Sequence, residues 1–387
     1  MFLPAVFFKE TLHVDYTKLQ RNVRILATLC ETDFPVISCY LNAEQGITGC
    51  RAFLAERIPL LRRTIPAAQQ KSFDQSLEHI EQSMHEHGLK PDVRGIAVFV
   101  RSVEDPFLVD MRFSVPVSNQ LSVDRVPHIC QLMTLKNTYD RYVVVLMNKK
   151  RSCILEVNLG AVTRQIWSEH PVPPDRIERQ WSKERYQRHR HKQTEDTIRE
   201  KIKVLDGLIA AAAHSHLILA GEPSMAERLK ASLPSHLRQK LVDTIHAQAT
   251  DYTGDIVDET LSSFVEFRQQ QSRNCVGMLQ QAVYTNSLGI LGTDASLQCL
   301  RHARADVLVL AEEYDPGAAW QCRGCGDIQI GGNAPQACRE CSGKQFRNLV
   351  IKEEMVRLAE VSSCSVTVVR NSEFLIAGGG VGCLTRY

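Results

Sequence analysis

The chain of 387 residues is long enough for two or three hydrophobic cores rather than one, and its composition, 44% hydrophobic and 23% charged, excludes the disordered and fibrous classes. A formal net charge of +2 gives no bulk sign of a polyanion binder, although a basic face can sit inside a balanced total. The 13 cysteines lie mostly in apolar segments and suit a reducing compartment better than a disulfide framework.

The opening MFLPAVFFKE lacks the basic leader and small-residue cleavage site of a secretory signal. No apolar run is long enough to cross a bilayer, so a cytoplasmic location is expected. YTKLQRNVRILATL then reads as a helix and FPVISCYLN as a buried strand. After charged helical sequence come two short strands, RGIAVFVRS and FLVDMRFSVPV, separated by the polar turn VEDP. DRYVVVLMNKKRSCILEVNLG reads as a hairpin closed by NKKR and opens a second domain.

PVPPD at 171–175 breaks regular structure. From Ser182 to Gly207 no Pro or Gly intervenes, and Ile198, Ile202, Leu205 and Ile209 recur at helical spacing. One long helix is expected, basic in its first half and core-facing in its second. HLILAGEPSMAERL reads as strand, glycine turn and helix, with Pro223 in the first turn. A Gln-rich helix around FVEFRQQQSRN leads to a third domain, where SLGILGTDASLQCLRHARADVLVLAEEY and EEMVRLAEVSSCSVTVVR each give a helix followed by a strand. The expected fold is α/β (α+β): three domains, 1–139, 140–273 and 274–387, each a mixed sheet with flanking helices.

The most specific chemical signal is C-x2-C-x12-C-x2-C, formed by Cys322, Cys325, Cys338 and Cys341. Two such turns around a small hairpin bring four thiolates into the tetrahedron that zinc prefers, as in zinc ribbons. Gly324, Gly326 and Gly343 relieve the turns. Four ligands leave no open position, so the metal would be structural; a redox pair is the alternative, and two pairs in one excursion argue against it. The other nine cysteines read as small core residues. AGGGVGCLTRY at the end of the sequence reads as a turn into a last strand, and LILAGEP lacks the Lys and Ser/Thr of a nucleotide loop. His214 and His216 read as packing residues, with a metal role as the alternative.

RQWSKERYQRHRHKQ, residues 179–193, sets six Lys or Arg and two His against one Glu. On a helix, Arg185, Arg188, His189 and Lys192 share a face, with Arg179 and Lys183 at its entrance. Trp181 and Tyr186 add aromatic surface for stacking on bases. A solvated charged face would mix both signs, so a polyanion contact is favoured, and RNA over duplex DNA because no DNA-reading module surrounds the stretch.

The order of these motifs resembles the archaeal and eukaryotic class 1 release factor and Pelota superfamily, in the bacterial branch that includes Balon-like ribosome hibernation factors. FPVISCYLN, RGIAVFVR and FSVPVSNQLSVDRVP are similar to the family's first domain. RYVVVLMNKKRSCILEVNLGAV, the basic helix, HLILAGEPSMAERL and LVDTIHAQATDYTGDIVDETL follow its central domain. LGTDASLQCLRHARADVLVLAEEY and GGGVGCLTRY are similar to its third, where archaeal members carry a four-cysteine metal insertion.

Two departures matter. Catalytic release factors carry Gly-Gly-Gln before the central helix, whereas Arg179, Gln180, Trp181 and Ser182 stand at the corresponding place. An Asn-Ile-Lys-Ser type of stop-codon signature is also missing from the first domain. The resemblance therefore implies a non-catalytic ribosome-binding factor in the tRNA site (A site), with Zn2+ in the third domain and a translational GTPase such as elongation factor Tu as docking partner. The rivals are a rescue or release factor using Gln180 to hydrolyse peptidyl-tRNA, and a zinc-containing RNA-binding adaptor.

Overall fold

The computed structural model describes residues 15–87, 90–148, 151–169, 183–212, 215–246 and 253–387. They form two compact units, one of 1–138 with 268–387 and one of 139–267.

The first unit opens with helix α1 (Tyr16–Ala27), capped by the Asp15 carboxylate, which accepts the Lys18 amide at 2.7 Å. Strand β1 (Val36–Asn42) comes next, then helices α2 (Gly46–Arg62) and α3 (Ala67–His87), strands β2 (Gly95–Arg101), β3 (Phe107–Phe113) and β4 (Gln120–Asp124), and helix α4 (Cys130–Thr138). The sheet order is β3-β2-β1-β4, and every pairing is antiparallel. This corrects the expected mixed sheet: the β2–β3 link is a five-residue turn, too short for the crossover that a parallel pair needs. Ile37, Cys39, Leu41, Ile96, Val98 and Val100 on one face of the sheet pack on Leu54, Phe73 and Ile80 of α2 and α3.

The second unit carries β5 (Tyr142–Met147), β6 (Arg151–Asn158), β7 (Ala161–Glu169), α5 (Lys183–Ala212), β8 (Leu217–Gly221), α6 (Pro223–Ser232), α7 (Ser235–Arg238), β9 (Leu241–His246) and the first half of α8 (Thr253–Tyr284). Strand order β7-β6-β5-β8-β9 combines an antiparallel meander with two parallel pairings, so this sheet is mixed. Alternation sorts its two faces. Val143, Val145, Ile154 and Leu219 meet Ile198, Leu205 and Ile209 of α5, while Tyr142, Val144, Leu155 and Ile218 meet Ile256, Val257 and Phe264 of α8. At the β8–α6 turn Gly221 has φ +131°, and a Cβ there would stand 2.1 Å from the Met147 carbonyl oxygen. Only glycine fits.

The remainder of the first unit contributes β10 (Gly289–Leu291), α9 (Thr293–Arg301), β11 (Ala305–Ala311), a small sheet of β12 (Ala319–Cys322), β13 (Ile328–Ile330) and β14 (Phe346–Leu349), then α10 (Ile351–Val361), β15 (Ser365–Val369), α11 (Glu373–Ala377) and β16 (Val381–Thr385). The larger sheet, ordered β10-β16-β11-β15, is mixed, with β11 and β15 parallel. Gly380, at φ +76°, lets the chain turn into β16 against the Tyr314 ring, which a Cβ would approach to 2.8 Å.

Each of the three stretches holds its own sheet, yet the first and third pack as one unit. Glu353 of α10 is buried and its Oε2 accepts the Cys130 amide at 2.9 Å, capping α4 from 223 residues away. Lys136 and Glu360 form a half-buried ion pair at 3.0 Å, and the Arg347 guanidinium is held by the Glu31 carboxylate. The boundary expected at 273/274 falls inside α8, whose buried Phe264, Cys275, Val276 and Leu279 keep it helical across the Gln-rich sequence.

Candidate nucleic-acid interface and metal centre

Helix α5 has the two-part character that its sequence implies. Ile198, Leu205 and Ile209 are buried against the sheet and Ile202 is half-buried beside them, which anchors the second half. Toward the start, Gln187, Arg188, His191 and Lys192 are exposed. Lys183, Arg185, Tyr186 and His189 also lie on α5. Arg179, Gln180, Trp181 and Ser182 lie outside the described residues.

The structure adds a cationic neighbour, Arg228, that the basic stretch alone does not reveal. Arg228 of α6 donates from Nη2 to His191 Nδ1 at 2.6 Å, and His191 Nε2 lies 3.3 Å from Glu195 Oε1. Arg228 is 37 positions from His191 in sequence; only the packing of α6 beside α5 joins them. Exposed Arg199 pairs with Asp196 at 3.1 Å, so the acids that return after Gln193 are drawn into helix-surface pairs. His216 packs edge-on against Phe264 and Phe267, at 5.2 and 5.4 Å between centroids, which assigns it to the core; His214 lies outside the described residues.

The four cysteines of the insertion converge. All four sulfurs lie within 4.8 Å of one another, with Cys322 and Cys341 at 3.5 Å and Cys325 and Cys338 at 3.4 Å. Four thiolates at the usual zinc–sulfur distance would stand about 3.8 Å apart. The backbone makes the same turn twice. The Cys322 carbonyl accepts the Gly326 amide at 2.9 Å, and the Cys338 carbonyl accepts the Ser342 amide at 3.0 Å. Gly326 and Ser342 both adopt positive φ, 76° and 57°, placing each residue after a second cysteine where it closes the knuckle.

Amides of Cys325 and Gly324 point at Cys322 Sγ and lower its pKa to about 7. Amides of Asp327 and Gly343 favour the thiolates of Cys325 and Cys341 too, but the crowding of neighbouring sulfurs outweighs them and raises both pKa values, that of Cys325 to about 12. Amide donors favour thiolate over thiol, so the donor set suits a soft divalent cation. Of the other nine cysteines, eight are buried and Cys30 is exposed. Outside the knuckles, the Gly326 carbonyl accepts from Gln321 Nε2 at 3.2 Å and from the Arg301 guanidinium, and Gln321 Oε1 accepts Arg347 Nε at 2.7 Å.

The family model described as bacterial archaeo-eukaryotic release factor family 10 matches residues 127–264, from just before α4 to within α8. The central region is similar to that release factor family, over about a third of the chain. α5 and its basic start lie inside the matched range, while the four cysteines lie outside it. Among solved structures, the archaeal translation termination factor aRF1 is 14% identical, with 97% of this chain and 99% of that one covered at a TM-score of 0.28. Pelota of Archaeoglobus fulgidus is 11% identical over 76% and 79%, TM-score 0.35. Dom34 of S. cerevisiae is 11% identical over 76% and 81%, TM-score 0.40. No curated protein gives a significant match. Among the described residues no helix is long and apolar enough to cross a membrane.

Proposed function

We propose that the chain is a ribosome-binding translation factor that enters the tRNA site, the A site, and protects idle ribosomes without hydrolysing peptidyl-tRNA. The observation that carries this reading is the sequence at the entrance to α5. In the resemblance to release factors, Arg179-Gln180-Trp181-Ser182 takes the place of the hydrolytic Gly-Gly-Gln, which supports a factor without hydrolytic activity. Without the two glycines the loop loses the backbone freedom that brings a glutamine and its water to the ester. Beyond Ser182 the helix starts basic and exposed, with Arg188 and Lys192 turned to solvent and Arg179, Lys183, Arg185, His189, Trp181 and Tyr186 as further RNA contacts. Such a surface binds phosphate and stacks bases; it does no chemistry.

Cys322, Cys325, Cys338 and Cys341 hold Zn2+ in this reading. With all four positions filled by thiolates the ion is structural, fixing β12 to β14 at the edge of the third stretch. By family resemblance that stretch docks a translational GTPase such as elongation factor Tu, and the first stretch faces the decoding region.

Cryo-electron microscopy of ribosomes from starved cells containing the protein tests the placement. Density for the chain in the A site, with α5 directed toward the peptidyl-transferase centre, is the expected result, and its absence from ribosomes removes the reading. Peptidyl-tRNA release well above the no-factor control and abolished by Gln180→Ala would instead make the protein a hydrolase.

A further inference from the structure

A cavity of about 380 Å³ opens in the first unit, lined among others by Arg24 of α1, Lys136 and Asn137 of α4, Arg268 of α8, and Glu360 and Ser365 of the α10–β15 region. Arg268 is half-buried and its guanidinium is pinned by three acceptors: Nε to the Asn137 carbonyl at 2.7 Å, Nη2 to Asn137 Oδ1 at 2.8 Å and Nη1 to Gln271 Oε1 at 3.0 Å. All three acceptors are neutral. The cation is oriented but not compensated. Arg24, which lines the same cavity, has no ion pair among the described residues. Glu360, the one carboxylate on the described lining, is already paired with Lys136 at 3.0 Å.

Two guanidiniums and a neutralised pair leave a formal charge of about +2 on one concavity. In a partly desolvated cleft, like charges held together are a cost that a bound anion removes, and guanidinium forks match phosphate oxygens in geometry. The Ser365 hydroxyl and the hydroxyl of neighbouring Ser363 add donors, while Met133, Cys364 and Val366 supply an apolar floor. The volume is at the small end of the usual range for ligand sites, enough for one or two phosphates and a modest organic group.

We propose that this cavity binds a small phosphorylated ligand, with Arg268 and Arg24 holding phosphate oxygens and Lys136 free to swing from Glu360 onto the anion. The site lies beside the two points at which the chain leaves the first unit and returns to it, Asn137 before residue 139 and Arg268 after residue 267. A ligand there reinforces the Asn137–Arg268 contact that ties those two points. The inference is independent of the ribosomal reading, because no residue of α5 takes part.

Calorimetric titration of the full-length protein with inorganic phosphate, pyrophosphate and adenosine monophosphate tests it, with acetate as the control anion and a short RNA oligonucleotide as a separate arm. Saturable one-to-one binding of at least one free phosphate compound, weakened about tenfold or more by Arg24→Gln, is the expected result. Arg24 is exposed and its side chain caps no helix, so that variant keeps the fold; Arg268→Gln serves as the second variant, with thermal melting checking that it folds. No saturation by any free phosphate compound into the millimolar range, equal binding of acetate, or binding unchanged in Arg24→Gln overturns the proposal. Arg24-dependent binding of the oligonucleotide alone also overturns it, by giving the cavity to an RNA backbone.

Discussion

The cysteine insertion and the start of α5 place functional side chains by opposite means. In the insertion, position is fixed by short-range backbone geometry: two knuckles with matching carbonyl–amide bonds and positive-φ residues bring four sulfurs within 4.8 Å. On α5 the apolar second half is anchored in the core, while Arg188 and Lys192 extend into solvent with the positional freedom of long side chains. One is a closed device whose parts fail together. The other is a field whose parts contribute singly.

The largest expected effect lies in the insertion. Replacing Cys322 and Cys325 by Ser should take bound zinc from about one per chain to none, and amides of β12, β13 and β14 should lose hydrogen-exchange protection while α5 keeps its own. A variant that retained stoichiometric metal would break the contrast. On α5, the triple change of Arg185, Arg188 and Lys192 to Gln should leave helicity intact. The slope of log K against log salt for ribosome binding should flatten by about 2, at roughly 0.7 per lost contact. An unchanged slope would make the face a solvated surface. Trp181→Ala should cost up to ~1–3 kcal/mol of stacking with little change in slope.

How much of each site is legible in the sequence depends on the range of its interactions. α1, β1, the β5–β6 hairpin, α5, the β8–α6 turn and the four cysteines rest on patterns a few residues long, and the sequence displays them directly. The antiparallel first sheet, the three-residue β10 and the union of 1–138 with 268–387 depend on partners far away in the chain. Nothing in EEMVRLAEV marks Glu353 as the cap of α4; its neighbour Glu354 has the same side chain but pairs locally with Arg357 at 2.8 Å. Arg228 is hidden for the same reason, and so is the passage of α8 across the boundary expected at 273/274, where Cys275, Val276 and Leu279 carry the buried side of the same helix.

The buried cap supplies a smaller test, intermediate between the two regions: fixed in position like the knuckles, electrostatic like α5. Glu353→Ala leaves the Cys130 amide without its carboxylate and should cost about 1–3 kcal/mol in urea unfolding, whereas Glu353→Gln, which keeps an acceptor, should cost less. Equal losses in the two variants would show that the amide bond contributes little.

The smallest effect is in pH. Burial raises the Glu353 pKa from the usual 4.5. At His128, burial opposes the charge, but the Asp124 bond at 3.1 Å and the nearby Glu353 outweigh it and raise the pKa from 6.5. Both groups hold protons more tightly folded than unfolded, so stability should fall as pH rises. The Glu353 contribution is lost from about pH 4.5 up through its raised value and the His128 contribution from 6.5 upward. His128→Gln should flatten the upper part of that profile; an unaltered profile would assign the pH dependence elsewhere.

The cap from Glu353 to Cys130 also sets an order of events during synthesis. The start of α4 leaves the ribosome 223 residues before its buried acceptor, an interval of roughly 10–45 s at ordinary elongation rates. Throughout that interval the second unit can fold on its own contacts, while the nascent first stretch waits with an uncapped helix and an incomplete interface. Arg347, the partner of Glu31, arrives only shortly before Glu353. The first unit is therefore begun first and finished last, and a chain cut short before residue 353 lacks the carboxylate that completes it.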